Sequence, residues 1–178
     1  MRRRIIIAPN KLLSMVAEDV AEDGFGEDLS KIMSDMAETM YYTNGVGLAG
    51  QQVGILKRIL VADVGSKYGV NLIKVVNPVI KSIDSEVSSL KEGCLSLPTF
   101  SAIIKRPKGV VVEYRDPLGK LHLDEFTGVA AHIIQHEIDH LNGITLLNKS
   151  NRMYKKQYLK KVKKYKKSAP DLMKILGV

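Results

Sequence analysis

Residues 134–141 read Ile134-Gln135-His136-Glu137-Ile138-Asp139-His140-Leu141, an H-E-x-x-H pattern within the mostly apolar stretch 126–144. On an α-helix, residues four apart lie on one face, so His136 and His140 can reach the same metal ion. Glu137 would lie beside that ion, where a metal-dependent hydrolase needs a general base. The segment therefore predicts a helix that supplies two nitrogen ligands and a base.

The alternative is a solvated helical face that carries two histidines by chance. The surroundings argue against it, because a helix this apolar is expected to be buried, and buried His and Glu side chains need partners or a metal. Its apolar residues are Phe126, Val129, Ala130, Ala131, Ile133, Ile134, Ile138, Leu141 and Ile144. We expect Asp124 or Thr127 to cap this helix and Gly143 to end it.

Length and composition predict one globular domain with a substantial core, since the chain has 178 residues of which 45% are hydrophobic. No apolar run approaches the roughly 18 residues of a membrane span, and the first run, residues 5–7, is too short for a signal peptide. The single cysteine cannot form an internal disulfide, which fits a reducing compartment. We expect a cytoplasmic monomer without membrane attachment.

The positive charge is concentrated at the C-terminal end. Residues 149–178 carry 11 Lys and Arg and one acidic residue, whereas the other 148 residues carry 16 basic and 18 acidic groups. Such a segment is usually a solvated helix, but its charge also favours a polyanion such as RNA. We therefore expect a catalytic domain over residues 1–148, extended by a basic helical segment over residues 149–178.

The remaining patterns predict an α+β fold. Apolar residues recur at helical spacing in residues 26–42, and residues 152–167 suit a last helix. Strands are predicted over residues 58–64, 72–80, 85–90, 109–114 and 121–123, with a proline turn at 116–119 and an interruption at Asn77-Pro78. Residues 1–7 are expected to form a first strand or an extended arm. The strands precede the metal helix in a run and do not alternate with helices, which favours α+β.

A catalytic metal site needs a third ligand, and the sequence alone leaves its identity open. His132 lies near the same helical face, but three successive histidines diverge along the helix axis, so pocket lining or packing is favoured for it. Cys94, in a glycine-containing segment at the end of a predicted strand, is the only thiol. A lone cysteine is most often a small buried hydrophobe, which is the competing interpretation.

A second glycine segment, residues 44–54, follows the first predicted helix. It is not a dinucleotide fingerprint, because no strand precedes it, and it is not a phosphate loop, because no Gly-Lys-Ser/Thr follows. Small residues such as Gly45 and Gly47 would let an extended substrate lie against the backbone, and Gln52 would aim its amide at a developing oxyanion. The alternative is an ordinary turn.

Three segments together resemble the peptide deformylase family, whose motifs are G-x-G-x-A-x-x-Q, E-G-C-L-S and H-E-x-D-H. They occur here in that order at residues 45–52, 92–96 and 136–140. The resemblance implies removal of the N-terminal formyl group from nascent polypeptides, with release of formate. It also implies an α+β fold with small mixed or antiparallel sheets around the metal-binding helix, and one divalent ion, usually Fe²⁺, with Ni²⁺, Co²⁺ or Zn²⁺ as substitutes.

The resemblance also implies a role for each matching residue. The implied metal ligands are Cys94, His136 and His140; the implied catalytic groups are Glu137, Gln52 and the backbone N–H of Leu95. The implied substrate-binding residues are Gly45, Val46, Gly47, Gly93, Val129, His132 and Ile133. A first-residue methionine is expected among Val46, Val129 and Ile133. Gly50 replaces an alanine of the first motif and Ser101 an arginine near the peptide path, so side-chain preference stays open.

Two other functions compete with this interpretation. A zincin-type metalloprotease shares H-E-x-x-H, but it takes its third ligand from downstream, where the only acidic residue is Asp171. An inactive relative that uses its basic segment to bind RNA would have no reason to retain Glu137. For an active enzyme, the same segment predicts an interaction with ribosomal RNA.

Overall fold

Two antiparallel sheets surround the helix that carries the H-E-x-x-H pattern. A computed structural model of the chain describes residues 1–65 and 69–168. The α-helices are α1 (Glu27–Tyr42), α2 (Gly128–Leu141), α3 (Leu146–Lys149) and α4 (Arg152–Ser168). The strands are β1 (Gly47–Ala49), β2 (Ile59–Asp63), β3 (Leu72–Ile83), β4 (Val87–Gly93), β5 (Ser101–Pro107), β6 (Gly109–Arg115) and β7 (Leu121–Thr127). This confirms the predicted α+β class.

The larger sheet has the strand order β1-β2-β3-β6-β7, and β4 pairs with β5 in a separate two-stranded sheet. Every pairing between these strands is antiparallel. Alternate residues of a strand face opposite sides of a sheet, and β2 uses both sides. Leu60 and Ala62 join the core cluster with α2, whereas Ile59 and Val61 join the cluster with α1. The sheet therefore lies between the two helices.

The helix α2 is shorter than its apolar stretch suggests. Phe126 lies in β7 opposite Val110, so the apolar run passes from strand to helix without a polar break. The proposed cap Asp124 is wrong, because this residue is also in β7, where it accepts a hydrogen bond of 2.6 Å from Tyr114. Thr127 occupies the N-cap position but makes no side-chain cap hydrogen bond. Gly143 follows the helix with φ of 71°, as expected of a residue that ends it.

Three predicted strands differ from the structure by more than one residue at an end. The strand β3 continues to Ile83 through a bulge at Asn77, whose side chain bonds both backbone groups of Val20. Residues 85–86 are outside β4, which instead extends to Gly93 beside the only cysteine. β7 runs on to Thr127. The strands β1 and β5 were not predicted. Residues 1–7 form an extended arm, in which Ile6 N–H donates to Gln52 O at 2.7 Å.

The basic extension is helical as predicted, up to the last described residue, Ser168; residues 169–178 lie outside the described part of the chain. Tyr158 and Val162 on α4 are buried in a third core cluster, together with Ala8 and Leu97. The hydroxyl of Tyr158 donates to Ala8 O at 3.3 Å. None of the helices in the described residues has the length and apolar character that crossing a bilayer requires.

Candidate metal centre

Cys94, His136 and His140 meet at one point between the two sheets. Their possible ligand atoms all lie within 4.8 Å of one another, and Cys94 Sγ is 3.2 Å from His140 Nε2. Bonds of about 2.0–2.3 Å to a tetrahedral ion would hold such atoms roughly 3.5 Å apart. One thiolate and two imidazoles form a donor set that suits Fe²⁺, Co²⁺, Ni²⁺ or Zn²⁺. The three residues therefore fit a divalent transition metal.

The fold brings these three possible ligands together from two parts of the chain. The histidines lie one turn apart on α2, and their rings are 5.1 Å apart, edge to face. Cys94 follows the last residue of β4, at the start of the connection to β5. The other two histidines have different surroundings: His122 pairs with Asp116 at 3.2 Å, and His132 bonds Ser88 and Glu92. The third member of this cluster is thus a cysteine and not a carboxylate.

Glu137 lies against the cluster in a buried position. It is 4% exposed, and its Oε2 has no hydrogen-bond partner among the described residues; the same holds for the buried Nδ1 of His140. Burial raises the pKa of Glu137 to about 7. A Cβ atom on Gly47 would lie 2.3 Å from Glu137 Oε1, so only glycine leaves room for this carboxyl. A buried carboxyl without a protein partner indicates that the site is shaped for another group.

The two adjacent glutamines of the glycine segment have different contacts. Gln52 accepts from Ala49 N–H at 2.7 Å, and its Nε2 lies 3.2 Å from Ser96 Oγ and 3.6 Å from Cys94 Sγ. Its amide N–H groups therefore point to residues 94–100, the connection between β4 and β5 that carries Cys94 and is called the ligand loop below. Gln51 instead donates to the backbone carbonyl of His140, where it joins this segment to the end of α2.

Glu92 lies next to the cluster and is a residue to which the sequence analysis assigned no role. Its Oε1 accepts from Arg106 Nε at 2.7 Å and pairs with His132 Nδ1 at 3.0 Å. Its Oε2 accepts from Arg106 Nη2 at 2.9 Å and pairs with His136 Nδ1 at 2.9 Å. Arg106 also bonds Asp139 at 2.7 Å. Its position could have suggested a role, since Glu92 is the first residue of the motif that contains Cys94. Its pairing with the buried Arg106 could not be predicted, because hydrophobic patterns do not indicate a buried arginine.

The charges of this cluster shift its pKa values in different directions. Burial lowers the pKa of His136, but contacts with Cys94 and Glu92 outweigh burial and raise it to about 10. Burial and the neighbouring positive charge of His136 lower the pKa of His140 to about 3. Burial raises the pKa of Glu92, whereas hydrogen bonds from His136, Arg106 and His132 hold it far below its usual range. Glu92 is therefore an anion that accepts from three side chains.

A cavity of about 860 Å³ opens onto this cluster. Its wall includes all seven predicted substrate-binding residues: Gly45, Val46, Gly47, Gly93, Val129, His132 and Ile133. Cys94, Leu95, His136 and Glu137 also line it. Gln52 and His140 are not part of the wall, and Gln52 lies buried behind Cys94. The structure thus places the predicted residues around one cavity, with Gln52 and His140 behind the residues that line it.

Comparison with known proteins agrees with this geometry. Residues 2–156 match the sequence model of the polypeptide deformylase family. The chain is 42% identical to a peptide deformylase of Thermodesulfovibrio yellowstonii, over 87% of this chain and 93% of the relative. It is 37% identical to that of Erythrobacter litoralis, over 94% of this chain and 98% of the relative.

Solved structures show the same similarity. The peptide deformylase of Ehrlichia chaffeensis superposes with a TM-score of 0.88 at 35% identity, over 94% of this chain and 98% of that one. A class I type b enzyme of Acinetobacter baumannii, solved with Met-Ala-Ser bound, has a TM-score of 0.76 at 32% identity, over 82% of this chain and 96% of that one.

Proposed function

Since the chain belongs to the polypeptide deformylase family and removes the N-terminal formyl group of nascent polypeptides, we propose that Cys94, His136 and His140 hold the divalent ion of this hydrolysis. The observation that supports the proposal best is the convergence of three ligand atoms within 4.8 Å beside the buried Glu137. We assign Fe²⁺ to the site, with Ni²⁺, Co²⁺ or Zn²⁺ as substitutes, because a donor set with one thiolate accepts each of them. When bound, such an ion supplies Lewis acidity and lowers the pKa of bound water.

Glu137 acts as the general base and then as the acid. Its carboxyl takes a proton from the attacking water and delivers it to the nitrogen of the leaving amine. Burial and the absence of a hydrogen-bond partner among the described residues leave Oε2 available for both transfers. Gly47 supports this role, because its lack of a side chain lets the carboxyl reach the cluster.

The formyl oxygen gains negative charge as the carbonyl carbon becomes tetrahedral. We assign its stabilisation to an amide N–H of Gln52 and the backbone N–H of Leu95, since fixed donors contribute most where charge develops. The position of Gln52 behind Cys94 sets a requirement: the substrate oxygen must lie close to the ligand loop to receive this hydrogen bond.

The substrate peptide runs along the cavity as an extended segment. Its backbone pairs with the backbone groups of Val46 and Gly93, in the way that an added strand pairs with the exposed edge of a sheet. The first methionine side chain contacts Val46, Val129 and Ile133, of which Val46 and Val129 are 56% and 63% exposed and so available to a ligand. Equal activity on formyl-Met and formyl-Ala peptides would contradict this pocket assignment.

The test is formate release from formyl-Met-Ala-Ser by Fe²⁺ protein purified without oxygen, alongside E137Q and C94A. We expect rapid release by the wild type, loss of release with retained metal in E137Q, and loss of metal in C94A. Release by metal-loaded E137Q at the wild-type rate would refute the role of Glu137. Full metal content in C94A would refute the ligand assignment.

The basic extension is proposed to bind ribosomal RNA as part of the same domain as residues 1–148. Lys156, Lys160 and Lys163 on α4 are exposed, whereas Tyr158 and Val162 are buried against the rest of the protein. Deletion of α4 would remove buried contacts together with positive charge, so a loss of binding could have either cause. Reversal of the charge of the exposed lysines changes the charge alone. Association with ribosomes would place the enzyme in the cytoplasm, where nascent chains emerge.

We expect the triple change of these three lysines to glutamate to weaken co-sedimentation with ribosomes, with a reduced dependence on salt. Turnover of short formyl peptides should be unchanged. The matched control carries the same reversal at three exposed lysines outside α4, which are Lys81, Lys105 and Lys120. Equal loss in both variants would show that only net charge matters, and no loss in either would reject the interaction.

A further inference from the structure

Both ring nitrogens of His132 are committed to protein partners, although this residue lies in the cavity wall. Nδ1 lies 3.0 Å from Glu92 Oε1, and Nε2 lies 2.9 Å from Ser88 Oγ. The residue is 3% exposed, so solvent does not compete for these bonds. His132 therefore offers a substrate only its ring carbons, and its polar atoms serve another purpose.

The partners determine where the protons lie. The Glu92 carboxylate, which also binds Arg106 through both oxygens, only accepts hydrogen bonds, so His132 Nδ1 must donate. With the proton on Nδ1, a ring that carries one proton has its lone pair on Nε2, where it accepts from the hydroxyl of Ser88 at 2.9 Å. A chain of hydrogen bonds with one consistent direction runs from Ser88 through His132 to Glu92.

The same carboxylate receives His136 on its other oxygen. His136 Nδ1 donates to Glu92 Oε2 at 2.9 Å, so Nε2 is the ring nitrogen that is left for a metal ion. His132 and His136 are one turn apart on α2, so Glu92 bridges two histidines of one helical face. Arg106 fixes the carboxylate relative to β5, whereas His132 fixes it relative to the helix that carries the ligand.

We propose that His132, oriented by Ser88, is a positioning residue of the metal centre, which holds Glu92 so that His136 keeps the tautomer and the ring orientation that metal binding needs. This inference rests on the proposed ligand role of His136. It replaces the substrate-binding role that the family resemblance implies for His132. Groups that orient a ligating histidine commonly change metal affinity by about 10–100-fold when removed.

Two substitutions at residue 132 separate positioning from packing. In H132N the amide N–H replaces the Nδ1 donor to Glu92, whereas in H132Q the amide lies further out, nearer to the position of Nε2. We expect Co²⁺ affinity, measured by chelator competition, to fall about 10–100-fold in H132Q and much less in H132N. The absorption spectrum of the Co²⁺ protein should shift in H132Q and not in H132N. S88A should weaken binding by a smaller factor.

The matched control is H122Q, since His122 pairs with Asp116 on the β6–β7 hairpin and does not line the cavity. It should retain the wild-type affinity and spectrum. Equal affinities and spectra for H132N and H132Q would overturn the proposal, as would a change confined to KM and to the formyl-Met over formyl-Ala preference. If H132Q does not fold, S88A decides the question. Wild-type Co²⁺ affinity and a wild-type spectrum in S88A would refute the role of Ser88 in orienting His132, and with it the proposal. Wild-type protein that binds no metal would instead reject the proposed ligand set.

Discussion

Replacement of Gly47 by alanine is predicted to impair catalysis without loss of metal. The Cβ atom of the new residue would lie 2.3 Å from Glu137 Oε1, 2.8 Å from Cδ and 2.9 Å from Cγ. Ordinary contact begins near 3.4 Å, so the carboxyl oxygen must move by about 1.1 Å. Because Gly47 and Glu137 are both buried, the surrounding residues restrict the directions in which this shift can occur.

A displacement of about 1 Å in a reacting group can reduce the rate by roughly 10²-fold, which corresponds to about 2.7 kcal/mol in activation free energy. The loss should appear in kcat, since the atoms nearest to the new Cβ belong to Glu137 and not to a metal ligand. Metal content should therefore equal that of the wild type. The assay is steady-state formate release from formyl-Met-Ala-Ser by metal-loaded protein, with the metal measured in the same samples.

The matched control is G109A, whose Cβ would lie 2.5 Å from a carboxylate oxygen of Asp84. Asp84 is exposed and does not line the cavity, so its side chain can rotate into solvent and activity should be retained. G47A with wild-type kcat and full metal content would refute the argument that Glu137 needs this glycine. Loss of metal in G47A would show that the change has disturbed the ligands instead.

Two further predictions concern stability. R106M should destabilise the protein by about 3–5 kcal/mol, because it leaves the Glu92 carboxylate, which is 10% exposed, without its arginine partner, whereas Asp139 keeps its pair with Lys149. Denaturant unfolding should show almost no effect for K108M, which breaks an exposed ion pair, and an equal effect of both variants would contradict this reasoning. Burial, with Asp124 and Asp116 nearby, raises the pKa of Tyr114. Its stabilising contribution is therefore present below the unfolded-state pKa of about 10 and lost as pH rises through the folded value, so the stability gap between wild type and Y114F should narrow above pH 10. A constant gap from pH 8 to pH 11 would reject this linkage.

The sequence predicted the parts of the fold in which one signal dominates. α1 and α4 were found within one residue at each end, because their apolar positions recur at helical spacing. The proposed metal ligands came from motif spacing combined with a family resemblance. The structure places Cys94 beside His136 and His140, a proximity that spacing alone could not predict across the more than forty residues that separate them.

The strands that were not predicted have local sequences that are not typical of strands. The strand β5 buries Ile104 and Arg106 on one face, and an arginine in a core position hides the alternation that marks a strand. The three-residue β1 lies inside a glycine segment, which indicates a turn. The sequence left the start of α2 open between Asp124 and Thr127, because Phe126 and the helix form one apolar run. The residues before the boundary belong to a strand and those after it to a helix, but both are apolar. In each case a tertiary contact decides, and local sequence does not record it.

The two carboxylates of this site have opposite environments. Glu92 is bonded by His132, His136 and Arg106, whose hydrogen bonds outweigh burial and hold its pKa far below the usual range, so it is an anion near neutral pH. Glu137 has one oxygen without a partner among the described residues, and burial raises its pKa to about 7. Surroundings that move the pKa values of two carboxyl groups in opposite directions are typical of sites in which the two groups have different roles. Here one carboxylate would orient a neighbouring side chain and the other would transfer protons. The contacts of neighbouring residues, more than the motif letters, thus distinguish Glu92 as a fixed acceptor from Glu137 as the group free to carry a proton.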